Sequence, residues 1–322
     1  MNKFARGARI MTAAAAVALS VGSIAQAQQA PVIGAVQMDS QYEWYRTVEM
    51  GAQEAAKTLN AQVVLANSAG KVDKEDEAVS NLIASGVKGI IISVVDSKAS
   101  IPAMERARKA GIVVINYDSF VESDLMDTFV GVDNKELGAM MGRHVVDYVN
   151  REMGGKAKIA LLTVVRYAQS VLRRDGFVEE IKKAPGIEIV AEQEGVMPEQ
   201  ASTNLETMLQ AHPDIQLVWA ANEGGLVGAQ TAKRSTGADI KIFGTDMSLQ
   251  TAASLTDPSS GVVAVATQDP YSIGEKALQL AVEAVNGKNV AGKYTIPLAL
   301  YSNDKPDDVK AYLEKYQSLA TR

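Results

Sequence analysis

Cysteine is absent from this chain of 322 residues, so it has no disulfide framework, thiolate metal site or lipid-modified cysteine anchor. Histidine is nearly absent. His144 lies inside a helical stretch and His212 in an Ala-His-Pro-Asp turn, without the paired spacing of a zinc site, so structural roles are expected for both. No serine sits in a Gly-x-Ser-x-Gly context and no Gly-x-Gly-x-x-Gly run occurs, which removes common signatures of hydrolysis and dinucleotide binding. The stretch Gly287-Lys288-Asn289-Val290-Ala291-Gly292-Lys293 imitates a phosphate loop, but it ends in Tyr294 and follows a helix, so it reads as a turn. The acidic run Asp73 to Glu77 lacks the Gly and terminal Glu of a calcium loop and reads as a helix N-terminus. No metal or cofactor is expected.

Long apolar runs are also missing, except at the start. Lys3, Arg6 and Arg9 precede an Ala-rich apolar stretch from Ile10 to Ile24, and Ala25-Gln26-Ala27 has the small-x-small pattern of a cleavage site. Residues 1–27 are therefore expected to be a signal peptide that exports the chain to a bacterial periplasm, with Gln28 as the first mature residue. Removing three of the 32 basic residues leaves 29 against 38 acidic ones, a net charge of −9. That balance argues against nucleic acid and anionic membrane surfaces as partners.

Short β-branched apolar runs alternate with helix-period stretches, the pattern of parallel βαβ units. Strands are expected at Val32–Gln37, Gln62–Asn67, Gly89–Val95, Val113–Asp118, Phe129–Asp133, Lys158–Val165, Glu188–Gly195, Leu217–Asn222, Lys241–Asp246, Val262–Asp269 and Tyr294–Leu300. Helices are expected near 43–60, 73–86, 98–110, 135–152, 169–184, 198–211, 223–236, 247–256, 271–287 and 306–318, with caps at Asp73, Ser97 and Asp133. Near-continuous hydrophobicity in most strands implies sheets covered on both faces. The units fall into two successive series that meet near residue 133.

In open α/β sheets, ligands collect beyond the carboxyl ends of the strands. Here those ends carry Asn116-Tyr117-Asp118, Asp133-Asn134, Asn222-Glu223, Thr245-Asp246 and Gln268-Asp269, and after the first strand Tyr42, Trp44 and Tyr45 cluster together. Hydroxyl-rich neutral ligands suit such a set, since aromatic faces cover C–H patches while carboxylates and amides pair with each hydroxyl. Any single Asp or Asn could equally be a helix cap.

The order and spacing of these stretches resemble periplasmic sugar-binding proteins of the ribose-binding type. The similarity runs from Val32 nearly to Tyr301, through Tyr42-Glu43-Trp44-Tyr45, Val114-Ile115-Asn116-Tyr117-Asp118, Ala211-His212-Pro213-Asp214, Trp219-Ala220-Ala221-Asn222-Glu223, Gly244-Thr245-Asp246 and Gln268-Asp269-Pro270. The resemblance implies two Rossmann-like lobes, 31–132 plus 269–297 and 133–268 plus 298–322. Three crossings near Val132–Asp133, Gln268–Asp269 and Pro297–Leu300 would join them and let them close around a ligand.

Carried over by position, Trp44 and Tyr45 would pack on the sugar, with Tyr42 beside them. Asp118 and Asp246 would accept from its hydroxyls, Asn222 and Gln268 would supply amides, and Arg173 matches a family arginine. Two departures stand out. Ser119 follows Asp118 where ribose-type binders commonly have Arg, and Val171 is read at the place of a second, ligand-facing Arg, leaving Arg166 or Gln169 to enter the cleft. The ligand is accordingly expected not to be simply ribose but a neutral monosaccharide or sugar alcohol that needs fewer donors.

The resemblance also implies delivery by a monomeric receptor to the permease subunits of an ABC importer. The alternatives are a chemoreceptor ligand-binding role, or a periplasmic carbohydrate-active enzyme with Asp118 and Asp246 as an acid/base pair.

Overall fold

The computed structural model describes residues 30–121, 128–165 and 168–320; the expected signal segment and Arg166 lie outside them. In chain order the strands are β1 (Val32–Gln37), β2 (Gln62–Asn67), β3 (Gly89–Ile92), β4 (Val113–Tyr117), β5 (Thr128–Gly131), β6 (Ala157–Thr163), β7 (Ile187–Glu194), β8 (Leu217–Ala220), β9 (Lys241–Thr245), β10 (Val262–Thr267), β11 (Gly292–Thr295) and β12 (Ala299–Ser302). The helices are α1 (Glu43–Thr58), α2 (Val72–Ser85), α3 (Ile101–Lys109), α4 (Asn134–Glu152), α5 (Ala168–Lys182), α6 (Pro198–Ala211), α7 (Glu223–Thr236), α8 (Leu249–Thr256), α9 (Pro270–Val285) and α10 (Pro306–Ala320).

These strands form two six-stranded sheets, ordered β11-β5-β4-β3-β1-β2 and β12-β10-β9-β8-β6-β7. Pairing is parallel throughout except for β10 against β12. Every residue of β3, β8 and β10 is buried, as their unbroken apolar sequences require when helices cover both faces, while the edge strand β2 is largely exposed. The chain passes between the sheets three times, after β5, after β10 and between β11 and β12.

Three local expectations need correction. The single strand expected over Tyr294–Leu300 is two strands in different sheets, because Pro297 has no N–H to give a ladder and the chain crosses there. Helix α2 starts earlier than expected, with Lys71 rather than Asp73 at its N-cap; Glu75 of that acidic turn is buried and accepts from the Val95 N–H at 2.7 Å. Helix α3 begins after Ser100, and it is Asp96, not Ser97, that accepts from the Lys98 and Ala99 N–H groups at 2.9 and 2.7 Å. Asp133 caps α4 as expected, accepting from Glu136 N at 3.0 Å.

Each sheet carries a tight helix pair in which a glycine of each helix meets the backbone of the other. A Cβ on Gly51 of α1 would lie 2.0 Å from the Tyr271 carbonyl oxygen of α9, and one on Gly274 would lie 1.9 Å from that of Val48. The second sheet repeats the arrangement, with Gly138 of α4 against the Arg173 carbonyl at 1.8 Å and Gly176 of α5 against that of Lys135 at 2.0 Å. The α4–α5 contact fixes the helix that carries Arg173.

Helix α10 reaches one of the crossings. It packs on α8 and β12 of the second sheet, while its Tyr316 hydroxyl donates to Asp269 Oδ1 at 2.9 Å. Asp269 is also the N-cap of α9, on the first sheet, accepting from Ser272 N at 3.1 Å.

Candidate ligand-binding site between the two sheets

Strand order determines where the polar strand ends meet. Asp118 follows β4 and Asp246 follows β9, and each is in the left-handed backbone region, with φ of 60° and 69°. Both backbone N–H groups continue the ladder, to Val130 O and Ala266 O, each at 3.0 Å. The chain turns sharply at each, and both side chains line one cavity between the sheets.

All eight residues singled out from the sequence line that cavity: Tyr42, Trp44 and Tyr45 at the start of α1, Asp118, Arg173, Asn222, Asp246 and Gln268. Met38, Val164, Ser170, Val196, Glu223 and Gly224 were not foreseen as wall residues. Only Glu223 had left a signal, as neighbour of Asn222 at a strand end.

Asp118 accepts from the Tyr45 hydroxyl at 3.2 Å and from Ser93 Oγ at 3.4 Å. Burial is the main influence on its carboxyl and, reinforced by the charge of Asp246, pushes its pKa up to about 6, against the opposing pull of Arg173 and the two hydroxyls. Asp246 is held differently. Arg173 Nη1 donates to its Oδ2 at 3.0 Å and Gln268 Nε2 to its Oδ1 at 3.2 Å. Arg173 is itself 4% exposed and also donates to Asn134 Oδ1 at 2.7 Å and to the Ala221 carbonyl at 3.2 Å. A guanidinium held in this way through Nε and Nη1 is a positioning group for Asp246 as well as a wall of the cavity.

Asn222 is satisfied within the protein, giving its amide to Val196 O at 2.9 Å and accepting from Gly225 N at 3.0 Å as the N-cap of α7. Two polar atoms are left over. Trp44 Nε1 and Gln268 Oε1 are buried without a partner, one a donor and the other an acceptor. Trp44 meets Tyr45 edge-to-face at 4.8 Å between ring centroids, so its position is fixed by packing.

The two positions read as departures from the ribose-type pattern sit differently. The Ser119 hydroxyl donates to Val94 O at 2.7 Å, and Ser119 lines an adjoining cavity of about 440 Å³ that shares Met38, Asp118 and Gln169 with the first. Val171, in contrast, lines neither cavity, and the helical phase of α5 instead presents Gln169, Ser170 and Arg173. Arg173, expected from the sequence as a family arginine, is the guanidinium that lines the cavity among the described residues.

The lobes touch across the cavity mouth. The Tyr42 hydroxyl lies 2.9 Å from Met197 Sδ, and Glu43 Oε1 accepts from Leu249 N at 3.0 Å. Among the described residues no group of His, Asp and Glu is arranged to hold a metal ion, and no helix is long and apolar enough to cross a membrane.

Two α/β lobes with paired carboxylates facing one interlobe cavity define a binding protein of the two-lobed periplasmic class. Residues 33–289 match the periplasmic binding protein domain family, and the chain belongs to it. It is 31% identical to the ABC transporter periplasmic-binding protein YphF of Escherichia coli (strain K12), over 89% of this chain and 90% of that one. It is 30% identical to the ribose import binding protein RbsB of Bacillus subtilis (strain 168), over 80% of this chain and 82% of that protein. Among solved structures it resembles an ABC transporter solute-binding protein from Mycobacterium smegmatis with bound glycerol, at TM-score 0.80 and 29% identity over 88% of this chain and 97% of that one. The arabinose-transporter binding protein of Shewanella sp. ANA-3 shares the fold at TM-score 0.82 and 23% identity, over 90% and 98% of the two chains.

Proposed function

We propose that this protein is the periplasmic receptor of an ABC importer, which captures a neutral monosaccharide or sugar alcohol between its lobes and hands it unchanged to the permease. The observation that carries this reading is the meeting of Asp118 and Asp246, one from each sheet, in a cavity also lined by Trp44 and Gln268, each of which has a buried polar atom without a protein partner. A polyol satisfies that set as a solvent-sized gap does not, because its hydroxyls donate to carboxylates while its oxygens accept from the indole. The relatives' names support the importer and the sugar class, as does the bound glycerol of the Mycobacterium protein.

In this reading residues 1–27 are a signal peptide, the lobes comprise 31–132 plus 269–297 and 133–268 plus 298–322, and the receptor works as a monomer. The ligand contacts are Tyr42, Trp44, Tyr45, Asp118, Arg173, Asn222, Asp246 and Gln268. Closure excludes water, which strengthens each polar contact, and a ligand that binds only the closed form shifts the population toward it.

The test is a thermal-shift panel of sugars and polyols followed by mass analysis of the recovered solute. A raised melting temperature with stoichiometric, unchanged ligand is expected. Turnover would favour the enzyme reading, and a panel without any shift would remove the proposal.

A further inference from the structure

The cavity that holds Asp118 and Asp246 adjoins a larger one. The first has a volume of about 110 Å³, below the roughly 300–1,000 Å³ of most small-molecule sites, whereas the second, at about 440 Å³, lies within that range. Met38, Asp118 and Gln169 line both, so a ligand hydroxyl that meets Asp118 stands where the two cavities join. Ser119, the next residue, has a short side chain whose hydroxyl bonds back to Val94 O at 2.7 Å.

Both sheets supply walls to the second cavity: Phe120 and Phe129 come from the β4–β5 region of the first, and Gln169 and Leu172 from α5 on the second. Phe120 and Leu172 are 38% and 46% exposed, two of the few large apolar side chains left uncovered among the described residues, and here they border one cleft. Phe120 is propped edge-to-face by Phe129 at 5.3 Å between ring centroids, and the Lys293 ammonium lies 5.7 Å from its ring centre. Of the polar residues in this wall, Asp96 and Asp133 already accept from helix N-termini and Asn134 Oδ1 from Arg173. Ser97, Gln169, Lys293 and Thr295 add hydroxyl, amide and ammonium groups. An aromatic face beside such groups repeats the chemistry of the first cavity, with cover for C–H groups and partners for hydroxyls. Asp96, Asp118 and Asp133 outnumber Lys293, which disfavours an anionic substituent such as a phosphate.

We propose that the adjoining cavity is a second sugar subsite, so that the preferred ligand is a neutral two-unit glycoside. Its first unit is held by the residues already assigned, and its second lays a C–H face on Phe120 while Leu172 covers it from the opposite side. The inference rests on the reading of the first cavity as a sugar or polyol site and extends the ligand beyond a single ring. Because Phe120 and Leu172 belong to different sheets, the second unit touches both only when the cleft is closed, and it therefore adds to the bias toward the closed form.

The test is calorimetry at pH 7 with D-glucose, D-galactose, D-arabinose and D-allose, followed by the best binder carrying a glucosyl unit at each of its ring positions in turn. At least one glucosyl derivative should bind about tenfold more tightly than its parent sugar. The ratio of the two affinities is the readout, and it should fall to about one in Phe120→Ala combined with Leu172→Ala. Leu172→Ala alone, a change at a half-exposed position on the other side of the cleft, should lower the ratio about threefold. Measuring the parent sugar on each variant corrects for any change at the first site. A wild type that gains from no glucosyl position, a ratio that survives the double substitution, or an equal gain from the matching cyclohexyl derivative would each overturn the second sugar subsite while leaving the first intact. Failure of every monosaccharide and every derivative to bind the wild type would overturn both.

Discussion

Asp118 and Asp246 are the same residue of two similar lobes: each follows the strand after its lobe's third helix-linked crossover, each has a left-handed backbone, and each turns its carboxylate into the shared cavity. They differ in support. Asp246 has a buried guanidinium and an amide, whereas Asp118 has two hydroxyls. Their substitutions should therefore behave differently.

Replacing Asp246 with Ala leaves Arg173 buried without its carboxylate. Stability should drop by about 3 kcal/mol, measured by urea denaturation, and sugar affinity should fall by about 1–3 kcal/mol. Asp118→Ala should cost a similar amount of affinity. Calorimetry showing unaltered binding in both variants would dismiss the assigned pocket.

Asp118→Asn should weaken binding yet stabilise the empty protein at neutral pH. The carboxyl's folded-state value of about 6 lies above its unfolded one. Its contribution is thus fully present below about pH 4 and lost as pH rises through about 6. Removing the charge should recover on the order of 2 kcal/mol at pH 7.5 and nothing at pH 4. Equal melting temperatures for the two proteins at pH 7.5 would contradict this.

Trp44→Phe keeps an aromatic face and removes the indole N–H. If the unpartnered Nε1 meets the ligand, affinity should decline by about 1 kcal/mol. A variant that binds like wild type would assign Trp44 to stacking alone.

Gly176→Ala would drive a methyl group into the Lys135 carbonyl, 2.0 Å away, with backbone on both sides to resist it. A loss of about 3 kcal/mol in stability is expected, with weaker sugar binding, because α5 cannot separate from α4 without moving Arg173. Chemical denaturation and calorimetry on the same sample measure both effects.

The wall of the cavity was legible where it is made at strand ends. Asp118, Asn222, Asp246 and Gln268 each follow an apolar run, and such residues at the carboxyl edge of a parallel sheet have few places to point. The phase of a helix was harder to read: Val171 and Arg173 are two positions apart on α5, and only packing through Gly138 and Gly176 decides which of them faces the cavity. Pro297 carried the signal that ends β11, yet the apolar residues on either side masked it. Glu223 was visible but indistinguishable from a residue of an ordinary helix start, since its surroundings come from α1, β9 and α10, all distant in sequence.

In the proposed closing motion, Tyr316 and Asp269 would act as a fulcrum. Because a carboxylate that starts one lobe's helix is tethered to a tyrosine rooted in the other lobe, swinging the lobes apart displaces neighbouring atoms little and distant ones most. Gln268 sits next to that pin, so its grip on Asp246 should survive opening, while the contacts at the far rim, Tyr42 with Met197 and Glu43 with Leu249, part first. An arriving solute would then meet a half already assembled around Asp246, and the final affinity would depend on how readily Trp44, Tyr45 and Asp118 swing in to complete it.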